Sequence, residues 1–208
     1  MKIDKETWPR REIFEFFSAI PHPFYMVTFT VDVTELYRYA KEKGISFYYA
    51  LVYLCTKALN RVENFRYAIR EGEVHLLDGR IPSFTDMKKG SELFHIVTMP
   101  CEGGIDEFCR AAAERSRNQE AFINSSCETD ELIYYSCLPW LEMTALTNEG
   151  LIDPDDAVPR ISWGKYVEEN GRKRLNISLE VNHRFIDGLH IGRFCEELAA
   201  LIKQLGQK

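Results

Sequence analysis

The stretch Val181-Asn182-His183-Arg184-Phe185-Ile186-Asp187-Gly188 separates two hydrophobic periods. Before it, apolar residues alternate at Leu175, Ile177, Leu179 and Val181, the period of a strand with one buried face. After it, Ile191, Phe194, Leu198, Leu201 and Leu205 recur at the spacing of an amphipathic helix. The stretch therefore reads as a strand-to-helix turn, with Asp187-Gly188 where the helix starts. A strand end is a rigid platform, so His183 is a candidate general base facing a cleft. The same pattern also fits a histidine satisfied beside a helix cap, and the rest of the chain must decide between the two.

Working outward, Val158–Val167 and Arg174–Val181 read as an antiparallel pair around Asn170-Gly171, a type I′ hairpin signal. Leu132–Leu138 is a strand-like run ending at Pro139-Trp140, and Leu141–Leu146 continues extended. Residues 147–159 hold Asn-Glu-Gly and Asp-Pro-Asp-Asp, which is turn chemistry. Further strands are expected at Phe24–Val31, Ile81–Met87 and Leu93–Met99, and a hairpin around Glu71-Gly72. Helices are expected over residues 7–20, with Thr7 as N-cap and Pro9 in the first turn, and over 33–43, stopped by Gly44. Two more cover 46–62, apolar nearly all round and so central, and 105–119. Residues 120–130 read as a loop. The whole predicts one domain over 1–208, an α/β (α+β) two-layer sandwich with a mixed, largely antiparallel sheet covered by helices.

Bulk properties narrow the function. The 208 residues are 45% hydrophobic, enough for a proper core. The net charge is −6 and no basic patch stands out, so nucleic acid is not an expected partner. None of the six cysteines forms a Cys-x-x-Cys pair, and the histidines are scattered, so no metal is expected. The N-terminus is polar and no apolar run approaches the ~20 residues of a membrane span, which predicts a soluble, cytoplasmic protein. Nucleotide signatures and the Gly-x-Ser-x-Gly elbow are missing.

Five segments in order resemble the chloramphenicol acetyltransferase family over nearly the whole chain. Trp8-Pro9-Arg10-Arg11-Glu12-Ile13-Phe14-Glu15 resembles its Trp-x-Arg-Arg/Lys-Glu-His-Phe-Glu opening. Phe94-His95-Ile96 stands where the family has a Phe-Ser-Ala-like run. Ser136-Cys137-Leu138-Pro139-Trp140 resembles Ser-x-x-Pro-Trp, and Ser162-Trp163-Gly164-Lys165-Tyr166 resembles Thr-Met-Gly-Lys-Tyr. His183 to Gly188 resembles His-x-x-x-Asp-Gly.

The resemblance implies a CoA-dependent acyltransferase fold and a homotrimer with its site between subunits, His183 coming from one and Ser136 from its neighbour. It implies direct transfer of the acetyl group of acetyl-CoA to a small-molecule alcohol, chloramphenicol first, with no acyl-enzyme. His183 would be the base, Ser136 an oxyanion donor, and Ser162 a hydroxyl that positions a water. Asp187 would pair with Arg10 and support the catalytic turn. Lys165 and Tyr166 would lie near the adenine end of CoA, or be ordinary strand residues. Trp140 would line the pantetheine tunnel or fill core. Phe16, Phe17 and Phe94 would line the acceptor pocket, or be core aromatics.

Three departures bear on the acceptor. Asn182-His183 replaces the family's His-His, and Phe17 replaces a tyrosine. Met143 to Gly150 replaces a Phe-rich Asn-Leu-Asn stretch. Asn-His-Arg-x-x-Asp-Gly also resembles the Asp-His-Arg-x-x-Asp-Gly of dihydrolipoamide acyltransferase cores. Another alcohol, a dihydrolipoyl thiol acceptor, or a non-catalytic relative of the fold are the rival readings.

Overall fold

In the computed structural model, which describes residues 1–150 and 153–207, the strand-turn-helix unit is present as expected. Strand and helix ranges, in chain order, are α1 (Arg11–Ser18), β1 (Phe24–Asp32), α2 (Thr34–Lys43), α3 (Phe47–Asn60), β2 (Tyr67–Arg70), β3 (Glu73–Leu76), β4 (Ile81–Met87) and β5 (Phe94–Thr98). They continue with α4 (Ile105–Asn118), β6 (Leu132–Leu138), β7 (Arg160–Gly164), β8 (Val167–Glu169), β9 (Arg172–Asn182) and α5 (Gly188–Leu205). The main sheet has the order β1-β9-β7-β6-β4-β5, with β8 also on β9, and β2-β3 is a separate hairpin. The pairs β4–β6 and β6–β7 are parallel and the rest antiparallel, so the sheet is mixed.

Alternation assigns the faces. Ile161, Trp163, Ile177, Leu179 and Val181 point to one side and are buried in a continuous core with Leu51, Cys55, Phe194 and Leu198 of α3 and α5. Each such large apolar side chain contributes roughly 1.5–3 kcal/mol of burial. α3 is capped by Ser46 and buries residues around most of its circumference, which is why its sequence lacks a polar face. The opposite face carries Ser136, Ser162, Ser178, Glu180 and Arg160, and the segment from 141 to 148 is hydrogen-bonded across it.

Both two-residue turns adopt positive φ at each position, Glu71-Gly72 at 54° and 73° and Asn170-Gly171 at 53° and 73°. These are type I′ hairpins, as their residue types require.

Three expectations need correction. The first helix starts at Arg11, not Thr7. Thr7 Oγ1 bonds back to Asp4 instead, and Arg10 takes the N-cap position with no side-chain cap. The strand expected over 158–167 is two strands. Between Trp163↔Ile177 and Val167↔Arg174 the first chain advances one residue more than the second, a bulge at Lys165-Tyr166. Finally, Leu141–Leu146 forms no strand. Its carbonyl at Leu141 accepts from Lys165 N at 2.6 Å, so the chain crosses the sheet rather than joining it. Gly164 permits that crossing, since a Cβ there would lie 2.4 Å from the Leu141 carbonyl oxygen. Of the turn expected over 147–159, residues 151 and 152 lie outside the described residues.

Candidate active site

The turn after β9 is held by one buried guanidinium. Arg10 Nη1 donates to Asp187 Oδ2 at 2.9 Å, Nε to the Arg184 carbonyl at 2.9 Å and Nη2 to the His183 carbonyl at 3.3 Å. The pairing expected between Arg10 and Asp187 is therefore present, joined by two backbone contacts that no motif specified. From the other side, His183 N donates to the Pro23 carbonyl at 2.7 Å. Asp187 also caps α5, its Oδ1 accepting from Leu189 N at 3.1 Å, while His190 Nδ1 accepts from Asp187 N at 3.1 Å. Burial opposes ionisation of Asp187, but the Arg10 bond and the cap outweigh it and hold its pKa below the usual carboxylate value.

The His183 ring stacks on Phe17, with centroids 3.9 Å apart at 24°, and lies 4.4 Å from the Tyr25 ring. Desolvation, then the charge of Arg10, push its pKa below the ordinary 6.5, with Asp187 pulling the other way. The imidazole is thus neutral at pH 7 and able to accept a proton. Tyr25 was not found from the sequence. Its hydroxyl donates to the Ile186 carbonyl at 3.3 Å, and burial followed by the Asp187 charge raises its pKa. The only pointer was its register opposite Val181, which requires knowing that β1 pairs with β9.

A second set of contacts gives the departure at Asn182 a structural role, shared with Arg184. Asn182 Oδ1 accepts from Arg184 N and Nε at 2.9 and 3.1 Å, and Asn182 Nδ2 donates to the Asp156 carbonyl at 2.8 Å. Asp156 Oδ2 in turn takes Arg160 Nη2 at 2.6 Å. These bonds tie the acidic turn to the histidine turn.

Ser136 and Ser162 are elsewhere. They are direct partners on β6 and β7, and Ser162 is opposite Ser178 on β9, which is opposite Thr28 on β1. These hydroxyls form a row across the face away from α3 and α5. Ser162 Oγ donates to Asn148 Oδ1 at 3.0 Å, whereas the Ser136 hydroxyl has no hydrogen-bond partner among the described residues. His183 lies five residues beyond Ser178, about 17 Å along a strand, and its ring rests on Tyr25, which projects to the helix-covered side. One chain does not bring His183 to Ser136.

The remaining expected residues divide similarly. Phe17 reaches His183, while Phe16 is 69% exposed and contacts Phe17. Phe94 is exposed and packs on Phe122, outside the core cluster. Trp140 is 70% exposed, so it is not a core filler. Lys165 is exposed; the Tyr166 ring packs against Tyr37, Phe47 and the Lys173 ammonium, which leaves it only partly available to a ligand. Among the described residues no group of three or more His, Cys, Asp or Glu could hold a metal ion, and no helix is long and apolar enough to cross a membrane.

Arg10→Met is expected to cost about 2 kcal/mol at pH 7, less than a fully buried pair because Asp187 keeps contact with water. The carboxylate's folded pKa is depressed, so this contribution is full above its unfolded value and fades as pH falls through the folded one. The gap between urea melts of the two proteins should therefore narrow in acid, to the part owed to the two backbone carbonyls. A gap that is constant with pH would show that the pair is not the source.

The geometry is thus a mixed sheet with helices on one face and a desolvated histidine at a strand end. A family model described as chloramphenicol acetyltransferase matches residues 1–199, and the chain belongs to that family. It is 31% identical over 206 residues to a chloramphenicol acetyltransferase of Clostridium perfringens, covering 97% of each chain. It is 28% identical to chloramphenicol acetyltransferase 3 of Escherichia coli, over 96% of this chain and 95% of that one. A solved chloramphenicol acetyltransferase superposes with a TM-score of 0.85 at 24% identity, over 97% of this chain and 99% of that one, which supports the fold.

Proposed function

We propose that the protein transfers the acetyl group of acetyl-CoA to a hydroxyl of chloramphenicol, at sites shared between copies of the chain in a homotrimer. The observation that carries the shared site is the separation of His183 from the Ser136–Ser162 row within one chain. Each chain offers half of the machinery at each of two places. The family supplies acetyl-CoA as cosubstrate and an alcohol as acceptor.

In this reading neutral His183 takes the acceptor's hydroxyl proton as that oxygen attacks the thioester carbonyl. Ser136, whose hydroxyl is uncommitted, donates to the oxyanion of the tetrahedral intermediate. Collapse breaks the C–S bond, and the imidazolium returns its proton to the leaving CoA thiolate. Arg10 and Asp187 hold the turn, while Phe17 and Tyr25 fix the imidazole plane. Exposed Phe16, Phe94 and Trp140 fit residues covered by a neighbouring copy or a substrate. Lys165 and Tyr166 fit the adenine end of CoA. A different alcohol is the second reading, favoured by the polar segment at Asn148 where the family stretch is Phe-rich.

The test is thiol release from acetyl-CoA with and without chloramphenicol. Release that depends on chloramphenicol is expected. Absence of release with chloramphenicol, but release with another alcohol, or an acetylated dihydrolipoyl thiol seen by mass spectrometry, would move the acceptor and keep the chemistry. No release with any acceptor would make the chain a non-catalytic relative.

A further inference from the structure

The hydrogen bonds over the serine row run in one direction. At one end Glu180 is 6% exposed, and its Oε2 accepts from Asn148 N at 2.9 Å and from Asn148 Nδ2 at 3.4 Å. No lysine or arginine among the described residues forms an ion pair with it. Its cross-strand neighbour Arg160 is turned to Asp156 and to the Val158 carbonyl. A carboxylate offers only acceptors. The Asn148 amide must therefore present its NH2 to Glu180 and its oxygen to Ser162. That oxygen is an acceptor 3.0 Å from Ser162 Oγ, and a serine hydroxyl has a single proton. The proton is committed to Asn148, and only lone pairs remain on the side of Ser162 that faces outward.

We propose that Glu180, acting through Asn148, sets the direction of the Ser162 hydroxyl and makes Ser162 an acceptor towards the acyl-transfer site. The inference rests on the acyltransfer reading above and adds two positioning residues to it. A water beside Ser162 then gives one hydrogen to Oγ and keeps the other for the developing oxyanion. Ser162 itself cannot donate to that oxyanion. The segment from 141 to 148 is held for this purpose at several points. Leu146 N donates to Ser178 Oγ at 3.1 Å, and Asn176 Nδ2 donates to the Met143 carbonyl at 3.0 Å. Placing Asn148 over Ser162 thus follows from the backbone path, and its polarity follows from Glu180.

Glu180→Gln tests the direction with almost no change of shape. A glutamine can offer its NH2 to the Asn148 oxygen, which frees the amide to turn and Ser162 to rotate its proton. The expected result is a fall in kcat of about tenfold, with KM for acetyl-CoA and the melting temperature nearly unchanged. Ser162→Ala should lose a similar factor. The double variant should be no slower than Ser162→Ala alone, because both changes break one relay. Asn148→Ala provides a second route, with a loss that also vanishes in the Ser162→Ala background. Losses that multiply in the double variants, to about a hundredfold, would overturn the inference, as would a change in KM alone. Wild-type protein that releases no thiol with any acceptor would overturn the acyltransfer reading instead, so the two failures are told apart.

Discussion

His183→Ala is expected to lower kcat with acetyl-CoA and chloramphenicol by about a thousandfold, while KM and melting temperature change little. A positioned general base contributes typically 10²–10⁴-fold, and among the described residues no other imidazole or carboxylate stacks on this ring to replace it. Among the described residues the ring makes no hydrogen bond, so its loss leaves no buried partner unsatisfied. It is held by stacking on Phe17 and Tyr25, and a small cavity between them is the structural cost. The pH dependence gives a second readout. His183 has its pKa lowered by desolvation and by Arg10, so wild-type activity should persist as pH falls past 6.5 and drop only below it. In Arg10→Met that acid limb should move to higher pH, because a repelling cation is gone and Asp187 is left uncompensated. An acid limb at or above 6.5 in the wild type, unmoved by Arg10→Met, would assign the titration to another group.

The largest stability loss is expected at Arg80, which the sequence did not single out. Its side chain is 2% exposed and, among the described residues, forms no ion pair with a carboxylate. Instead Nη1 donates to the Asp130 and Leu132 carbonyls at 2.9 and 3.0 Å, and Nη2 to Tyr67 and Ala157 at 2.6 and 3.1 Å, while Nε donates to Phe65. One side chain thus joins the 3-10 turn at Glu63–Arg66, the β2–β3 hairpin, the start of β6 and the segment entering β7. Burial lowers its pKa to about 10, so it remains a cation at neutral pH. Arg80→Met keeps most of the volume but leaves five backbone oxygens without a donor. Each buried unsatisfied group costs about 1–3 kcal/mol, so the variant should lose at least about 3 kcal/mol even after relaxation. For a chain of this size that is a fall of roughly 10 °C in Tm, readable by circular dichroism. A shift within about 2 °C would mean that water replaces the guanidinium and that these carbonyls are not sealed.

The strands and helices were legible where one local signal dominated. The alternation from Leu175 to Val181, the Asn170-Gly171 turn and the Gly44 stop each have one local solution. The failures were tertiary. Thr7 has the chemistry of an N-cap, yet Asp4 binds it first. Arg10 then occupies the cap position because its guanidinium is needed at the turn after β9. Leu141–Leu146 reads as extended chain, but that it crosses the sheet follows only from the close approach at Gly164. Of the candidate site, His183, Asp187 and Arg10 were readable through a resemblance in motifs, and their contacts follow from the turn. Tyr25, Asn148 and Glu180 were not readable. Each owes its place to a register or a chain crossing that no local pattern encodes.

The shared site can be tested by mixing two defective chains. His183→Ala and Ser136→Ala should each be nearly inactive when pure. If His183 of one copy works with Ser136 of the next, unfolding and refolding the two together forms interfaces that pair an intact histidine with an intact serine. Thiol release with chloramphenicol is then expected to reappear in the mixed oligomer, at a substantial fraction of the wild-type rate. Mixed oligomers that form and remain as inactive as their parents would contradict it, and would place both residues of each working site on one chain.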